Sequence, residues 1–200
     1  MLEPLILTYT GRYINPLNVK IEDICLEDVA HHLALINRFT GATKGPMNVA
    51  QHVVAVSKLL EGTGLEKQGL HHDDAEYAVS DVSKWFKESP EMTPFREAEA
   101  RAQCACYTAF GIKPEDYIQY PHMMHPLVLE ADRLMLRFEG VRGFGIKMWN
   151  KWLEMMNNPL YPSLSEEEYE RVNAISPKTL TWRQSKQAYL ARHKELEARR

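Results

Sequence analysis

The chain has 200 residues, 44% of them hydrophobic, which is enough to bury one core, and we expect a single domain over 1–200. Its formal charge of −3 gives no reason to expect a protein that binds polymeric nucleic acid. The three cysteines lack zinc-type spacing, no apolar run approaches the ~18 residues of a membrane span, and the start does not resemble a signal peptide. These features predict a cytoplasmic protein without membrane contact.

Residues 1–25 combine a short apolar run with turn-forming residues, which predicts an extended N-terminal arm or a small ribbon. Apolar residues at helical spacing then predict helices over about 26–38, 48–61, 65–79, 94–110, 126–141 and 179–200. The expected fold is therefore an all-α helical bundle with a short extended arm. The last helix is strongly charged and predicts a solvated surface element or an oligomer contact.

One histidine of the second predicted helix lies on that helix's apolar stripe. Val49, Val53, Val56 and Leu59 recur at helical spacing, and His52 falls among them. We therefore expect His52 to point into the core. Taken alone, it is equally consistent with a core histidine whose nitrogens have hydrogen-bond partners.

An aspartate of the fifth predicted helix is also centred on an apolar face. Val128, Leu129, Met135 and Leu136 lie one turn before and one turn after Asp132. A buried carboxylate without a partner is costly, so Asp132 needs a metal, a cation or several hydrogen bonds. A core aspartate paired with arginine is the alternative.

A third set of polar residues lies in the predicted helix 65–79, where His72, Asp73 and Glu76 are expected to share one side. Three helices would then each direct a metal ligand inward. We interpret His52, His72, Asp73 and Asp132 as the ligands of one divalent ion. Mixed nitrogen and oxygen donors suit Zn, Co or Mn better than Ca. Such an ion activates water and polarises a phosphoryl oxygen, which favours phosphate-ester hydrolysis.

The order of these ligands, a His, then a His-Asp pair, then a distant Asp, resembles the HD-domain metal-dependent phosphohydrolases. Within that superfamily the chain is similar to bacterial 5′-deoxynucleotidases and phage dATP triphosphohydrolases. The resemblance is carried by residues 36–39, 49–52, 72–76, 81 and 130–133, and, for the phage branch, by 9–13 and 24–31. Residues 80–85 depart from the nucleotidase pattern, which has a glycine before the second Asp and prolines after it.

The resemblance implies roles for six further residues. It implies that Glu76 is the catalytic carboxylate and that Arg38, at the end of the first helix, contacts phosphate. Asp81 is either catalytic or the N-cap of a turn. Phe39 would lie beside the sugar and exclude a 2′-hydroxyl, or would pack in the core. Lys84 and Lys87 would bind distal phosphates, or would be solvated. Glu76 could also be an ordinary surface glutamate.

We therefore expect metal-dependent hydrolysis of deoxynucleotides, first of all dATP to deoxyadenosine and triphosphate. In a phage setting this activity would control the dNTP pool in the host cytoplasm. The alternatives are a 5′-deoxynucleotidase that acts on monophosphates and a non-catalytic HD module that binds nucleotide and regulates a partner. The resemblance also implies a homo-oligomer, a dimer or a hexamer.

Overall fold

The computed structural model describes residues 4–157 and 161–199. Strands β1 (Ile6–Leu7) and β2 (Tyr13–Ile14) pair antiparallel as a two-stranded ribbon, as the composition of the arm predicted. The ribbon is attached to the first helix through Asp28, whose carboxylate accepts hydrogen bonds from the Thr8 and Thr10 side chains and from the Thr10 N–H.

The remainder is an all-α helical bundle, which confirms the expected fold class. Its helices are α1 (Leu26–Leu35), α2 (Val49–Leu59), α3 (Glu66–His71), α4 (Glu76–Val79), α5 (Lys84–Lys87), α6 (Thr93–Ala109), α7 (Pro126–Phe144), α8 (Ile146–Met156), α9 (Glu166–Ile175) and α10 (Trp182–Glu197). Within the described residues, none of these helices is both long enough and apolar enough to cross a bilayer.

Helix α2 lies at the centre of the bundle and contacts α1, α3, α7, α9 and α10. Most of its side chains are buried, as expected for a helix that is apolar on nearly every side. Its first turn is capped by the Asn48 side chain, which accepts from the Gln51 N–H. The central position of α2 brings His52 into the core, as its apolar stripe predicted.

Two helix boundaries differ from the predicted ones in ways that matter for the site. Helix α1 ends at Leu35, because the backbone of Ile36 is extended and Asn37 forms an antiparallel bridge with Asn48. Arg38 therefore does not end the first helix but begins a separate 3₁₀ turn, Arg38–Gly41. The predicted helix 65–79 is also interrupted, since residues 72–75 form a turn between α3 and α4.

Helices α8 and α9 have no counterpart among the predicted elements. The close contact between α7 and α8 depends on Gly140, because a Cβ there would lie 2.3 Å from the Trp149 ring. The last helix begins at Trp182, after a capping box formed by Thr181 and Gln184, and the predicted end at residue 200 lies outside the described residues.

Candidate metal centre

Three of the predicted ligands converge in the core from three different elements. His52 belongs to α2, His72 follows the end of α3, and Asp132 belongs to α7. One donor atom from each lies within 4.8 Å of the other two. Asp132 Oδ1 is 3.1 Å from His52 Nε2 and 3.8 Å from His72 Nε2. This group could hold a metal ion.

The hydrogen bonds of the two histidines leave the atoms that a metal needs available. His72 Nδ1 lies 2.9 Å from the Gly69 carbonyl oxygen, which can only accept, so Nδ1 carries the proton. His52 Nδ1 lies 3.2 Å from each carboxylate oxygen of Glu139 and donates to it in the same way. In each of the two imidazoles the lone pair that can bind a metal is then on Nε2, an arrangement usual for metal-binding histidines.

Neither Nε2 atom has a hydrogen-bond partner of acceptable geometry among the described residues, although both atoms are buried. Buried polar atoms are normally paired, so two unpaired ones that face the same carboxylate need an explanation. A divalent cation bound to His52, His72 and Asp132 supplies the missing partner. The donor set thus fits a metal by its chemistry as well as by its distances.

The charges around the centre also favour a cation. Burial opposes protonation of His72, but the neighbouring Asp73 and Asp132 outweigh it and raise the pKa of the imidazole well above its usual value. Burial likewise opposes ionisation of Asp132, yet the contacts with His52 and His72 hold the pKa of its carboxyl well below the usual value. The carboxylates thus attract positive charge to this point, and a metal competes there with protons.

Asp73, the fourth predicted ligand, lies beside this group. Its Oδ2 is 3.3 Å from His72 Nε2 and 3.8 Å from His52 Nε2. The same oxygen is 3.6 Å from Arg38 Nη1, so it also faces a cation of the chain. Its role as a metal ligand stays a prediction.

A buried ion pair between Arg38 and Glu139 lies next to His52. The sequence analysis did not indicate Glu139. Arg38 Nε donates to Glu139 Oε2 at 2.8 Å, and Glu139 also accepts from His52. Burial disfavours the charged form of Arg38, but Glu139 and Asp73 outweigh it and raise the pKa of the guanidinium. Glu139 follows Asp132 by seven residues, two turns of α7, so both residues lie on the same side of that helix. This spacing could have indicated Glu139 from the sequence.

Glu76 and Asp81 both border the site, but neither occupies an ordinary surface or capping position. Glu76 is buried at 6% exposure, and its Oε2 has no partner among the described residues. Burial, followed by the negative charges of Asp73 and Asp81, raises the pKa of Glu76 well above its usual value. Burial also raises the pKa of Asp81. The residue at the N-terminus of α5 is Ser83, so the N-cap interpretation of Asp81 is wrong.

The first of two cavities at the centre has a volume of about 560 Å³, and one part of its lining is an aromatic wall. That wall contains Phe39, Trp85, Phe144, Trp149, Trp152 and Tyr161. Phe39 meets the Trp149 ring edge to face at 6.0 Å, and Trp152 stacks on Trp149 at 4.8 Å. Phe39 has a φ of 54°, a conformation that non-glycine residues rarely adopt and that is concentrated at functional sites. Arg38 and Asp81 line the same cavity.

The second cavity, of about 420 Å³, adjoins the first at the centre. Both cavities are lined by Asp73, Glu76, Lys84, Lys87, Asp132 and Tyr161, and the second also by Arg96, His122 and Arg133.

The two lysines at the cavities differ in their contacts. Lys87 donates to Glu99 at 2.6 Å, so its charge is partly neutralised. Lys84 has weaker contacts, at 3.7 Å from Glu88 and 3.4 Å from the Tyr161 hydroxyl. The structure therefore brings all ten predicted site residues to the metal centre or its two cavities.

No protein-family model matches the chain, and no curated protein is significantly similar to it.

Proposed function

We propose that the chain is a metal-dependent phosphohydrolase of the HD type that acts on deoxynucleotides. The observation that carries the proposal is the convergence of two unpaired imidazole nitrogens and a carboxylate oxygen at the junction of two cavities. A metal held only for stability is usually closed off by its ligands, whereas a catalytic metal keeps an open side. His52, His72, Asp132 and Asp73 would hold Zn, Co or Mn.

The bound ion would supply Lewis acidity for phosphate-ester hydrolysis. Glu76 borders both cavities and has an unpaired buried oxygen, so it can accept a proton from the attacking water and return it to the leaving oxygen. Arg38 keeps the Asp73 and Glu139 carboxylates in place and presents positive charge to the first cavity. These roles need only groups that the chain places at the centre.

The two cavities suggest how a deoxynucleotide is divided between them. The aromatic wall of the first cavity suits stacking of a base, and Phe39 suits contact with the sugar. Lys84 and Arg133, which line the second cavity, supply positive charge for a chain of phosphates. The second cavity, of about 420 Å³, adjoins the first and adds room for distal phosphates, which supports the choice of a triphosphate over a monophosphate substrate. We take dATP as the first choice because residues 9–13 and 24–31 resemble the phage branch.

The test is to incubate metal-loaded protein with each dNTP and each dNMP and to identify the phosphate product by ³¹P NMR. Release of intact triphosphate from dATP is expected. Orthophosphate released from monophosphates alone would instead favour the 5′-deoxynucleotidase. Tight nucleotide binding without any product would favour the non-catalytic regulator. A Glu76→Gln protein is the matched control, because it keeps all four proposed metal ligands.

A further inference from the structure

A buried glutamine of α6 contacts the backbone on both sides of the turn that carries His72. Gln103 is 5% exposed, and its Nε2 donates to the His71 carbonyl oxygen at 2.7 Å. Its Oε1 accepts from the Ala75 N–H at 3.0 Å. Both hydrogen bonds are buried, and together they use the donor and the acceptor of one amide group.

The two backbone groups that Gln103 contacts are those that would bond to each other in a continuous helix. In an α-helix the N–H of residue 75 donates to the carbonyl of residue 71. The amide of Gln103 is inserted into that bond and replaces it from the side. A polar group inserted into the backbone ladder is a known cause of helix interruption.

The two strongest helix breakers do not explain the interruption, although His72, Asp73 and Asp74 are weak helix formers. Residues 72–75 contain neither glycine nor proline, and Ala75 is a strong helix former. After the insertion the backbone continues with tighter bonds, from Asp74 N–H to His71 O and from Glu76 N–H to Asp73 O. The helical pattern is restored at Val79, whose N–H donates to Ala75 O. The gap in the ladder is thus bridged by a side chain of α6, which is far away in the sequence.

The interruption has a direct consequence for the metal centre. In a continuous helix the Gly69 carbonyl would accept from the N–H of residue 73. In this structure it accepts from His72 Nδ1 at 2.9 Å. That bond fixes the proton on Nδ1 and leaves Nε2 for a metal. Closing the helix would offer the carbonyl a competing donor and would move the Cα positions of His72 and Asp73.

We infer that Gln103 is a positioning residue for the metal centre. Its amide holds the turn open, and the open turn directs His72 Nε2 and the Asp73 carboxylate towards His52 and Asp132. The inference requires only that the centre binds a metal; its effect on turnover rests on the function proposed above. Metal affinity and ligand geometry are therefore the quantities to measure.

The chain contains a matched control. Gln68 is 3% exposed, and its amide also bridges two backbone groups, the Asp116 carbonyl at 3.2 Å and the His125 N–H at 3.1 Å. Gln68 therefore has similar burial and the same pattern of one donated and one accepted hydrogen bond as Gln103, although its two bonds are only partly buried. It fastens a loop instead of the turn with the ligands, so the two glutamines differ mainly in what they hold.

The test compares Gln103→Met and Gln68→Met with the wild-type protein. Methionine has a similar length but cannot bridge the two backbone groups, and the helix can then close. We expect Gln103→Met to lower the affinity for Zn²⁺ about tenfold or more, as for other residues that orient metal ligands, and to change the visible spectrum of the Co²⁺-loaded protein. Gln68→Met should lower stability by a similar amount and leave both readouts unchanged. Gln103→Glu keeps the acceptor for the Ala75 N–H and should lose less affinity than Gln103→Met.

The inference is overturned if folded Gln103→Met binds Zn²⁺ with wild-type affinity and keeps the wild-type Co²⁺ spectrum. Equal losses of affinity in Gln103→Met and Gln68→Met would also overturn it, because they would show a general effect of destabilisation. If Gln103→Met does not fold, Gln103→Glu decides, and wild-type affinity there counts against the inference. A wild-type protein that binds metal but hydrolyses no nucleotide would refute the proposed function alone, whereas one that binds no metal would refute both.

Discussion

Each histidine of the candidate centre is oriented by a different kind of partner. His72 donates to a backbone carbonyl, and His52 donates to the side chain of Glu139. A carbonyl partner cannot be removed by substitution, but a carboxylate can. The two histidines can therefore be tested by different changes at the scale of single residues.

Loss of a ligand should differ from loss of the proposed proton acceptor. We expect His72→Ala to lose bound metal and activity together, because it removes one of three converging donors. Glu76→Gln should keep the metal but slow turnover by about 100-fold, as for a positioned group that transfers protons. Metal content by mass spectrometry and steady-state kinetics check both. Full activity with normal metal content in His72→Ala would contradict the assignment of the site.

Replacing Glu139 should affect both the metal and the fold. Glu139→Ala removes the acceptor of His52 Nδ1 and leaves the buried Arg38 without its closest carboxylate. We expect metal affinity to fall about 10-fold to 100-fold and the free energy of unfolding to fall by about 3–5 kcal/mol. Metal titration and urea denaturation measure the two effects.

The control for Glu139 is Glu27→Ala. Glu27 also pairs with a cation, Lys186, but its side chain is 55% exposed, so its loss should cost at most about 1 kcal/mol. Equal effects of the two substitutions would mean that the buried pair has no special role in the centre.

At the scale of elements, the distance between α2 and α3 is set by a glycine. A Cβ on Gly69 would lie 2.5 Å from Leu60 Cδ1 and 3.2 Å from the backbone of Ser57. We expect Gly69→Ala to separate the two helices, to lower the free energy of unfolding by about 1–3 kcal/mol and to weaken metal binding. Denaturation and metal titration are the measurements. Gly45→Ala is the control, since a Cβ at Gly45 meets no atom within 4 Å.

The attachment of the ribbon to α1 should depend on pH. Burial favours the neutral form of Asp28, but hydrogen bonds from Thr10 and Thr8 outweigh it and lower the pKa of the carboxyl. A pKa lower in the folded than in the unfolded state gives stability that is present above the unfolded pKa, about 3.9, and is lost as the pH falls through the folded pKa.

Asp28→Asn should therefore be less stable than the wild-type protein at pH 7, by about 1–3 kcal/mol. The difference should shrink as the pH falls below about 4, because Asp28 then becomes protonated in the unfolded wild-type chain before it does so in the folded protein. Urea denaturation of both proteins between pH 7 and pH 3.5 measures it. A difference that stays constant over this range would show that ionisation of Asp28 does not stabilise the ribbon.

At the scale of the whole molecule, the proposed ion would connect α2, the turn after α3, and α7. Because an ion that binds only the folded state stabilises it, removal by a chelator should lower the free energy of unfolding. The loss is about 2.7–4.1 kcal/mol at metal concentrations of 100 to 1,000 times the Kd. Thermal denaturation with and without chelator measures the change in Tm. The chelator should not change the Tm of His72→Ala, and an equal decrease there would indicate another metal site.

Features that depend on contacts within one helix could be predicted from the sequence. The period of apolar residues predicted that His52 and Asp132 point inward, because side chains three and four residues apart share a side. His52 is fully buried, whereas the Asp132 side chain is 24% exposed at the cavities. The composition of residues 1–25 predicted the ribbon, and the helical spacing of apolar residues elsewhere predicted the all-α class. Its predictions for Glu76, Asp81 and the substrate residues named positions that the structure brings to the centre, but the roles of those residues stay predictions.

The contacts and hydrogen bonds between elements could be seen only in the folded structure. The turn at 72–75 is bridged by Gln103, 28 residues from Ala75, which no local pattern indicated. Glu139 orients His52 from 87 residues away, and α8 forms part of the aromatic wall against α7. Periodicity describes which side of a helix is buried, but not which neighbour buries it. Hydrogen bonds between elements depend on that neighbour, so the geometry of the centre is fixed only when the helices pack.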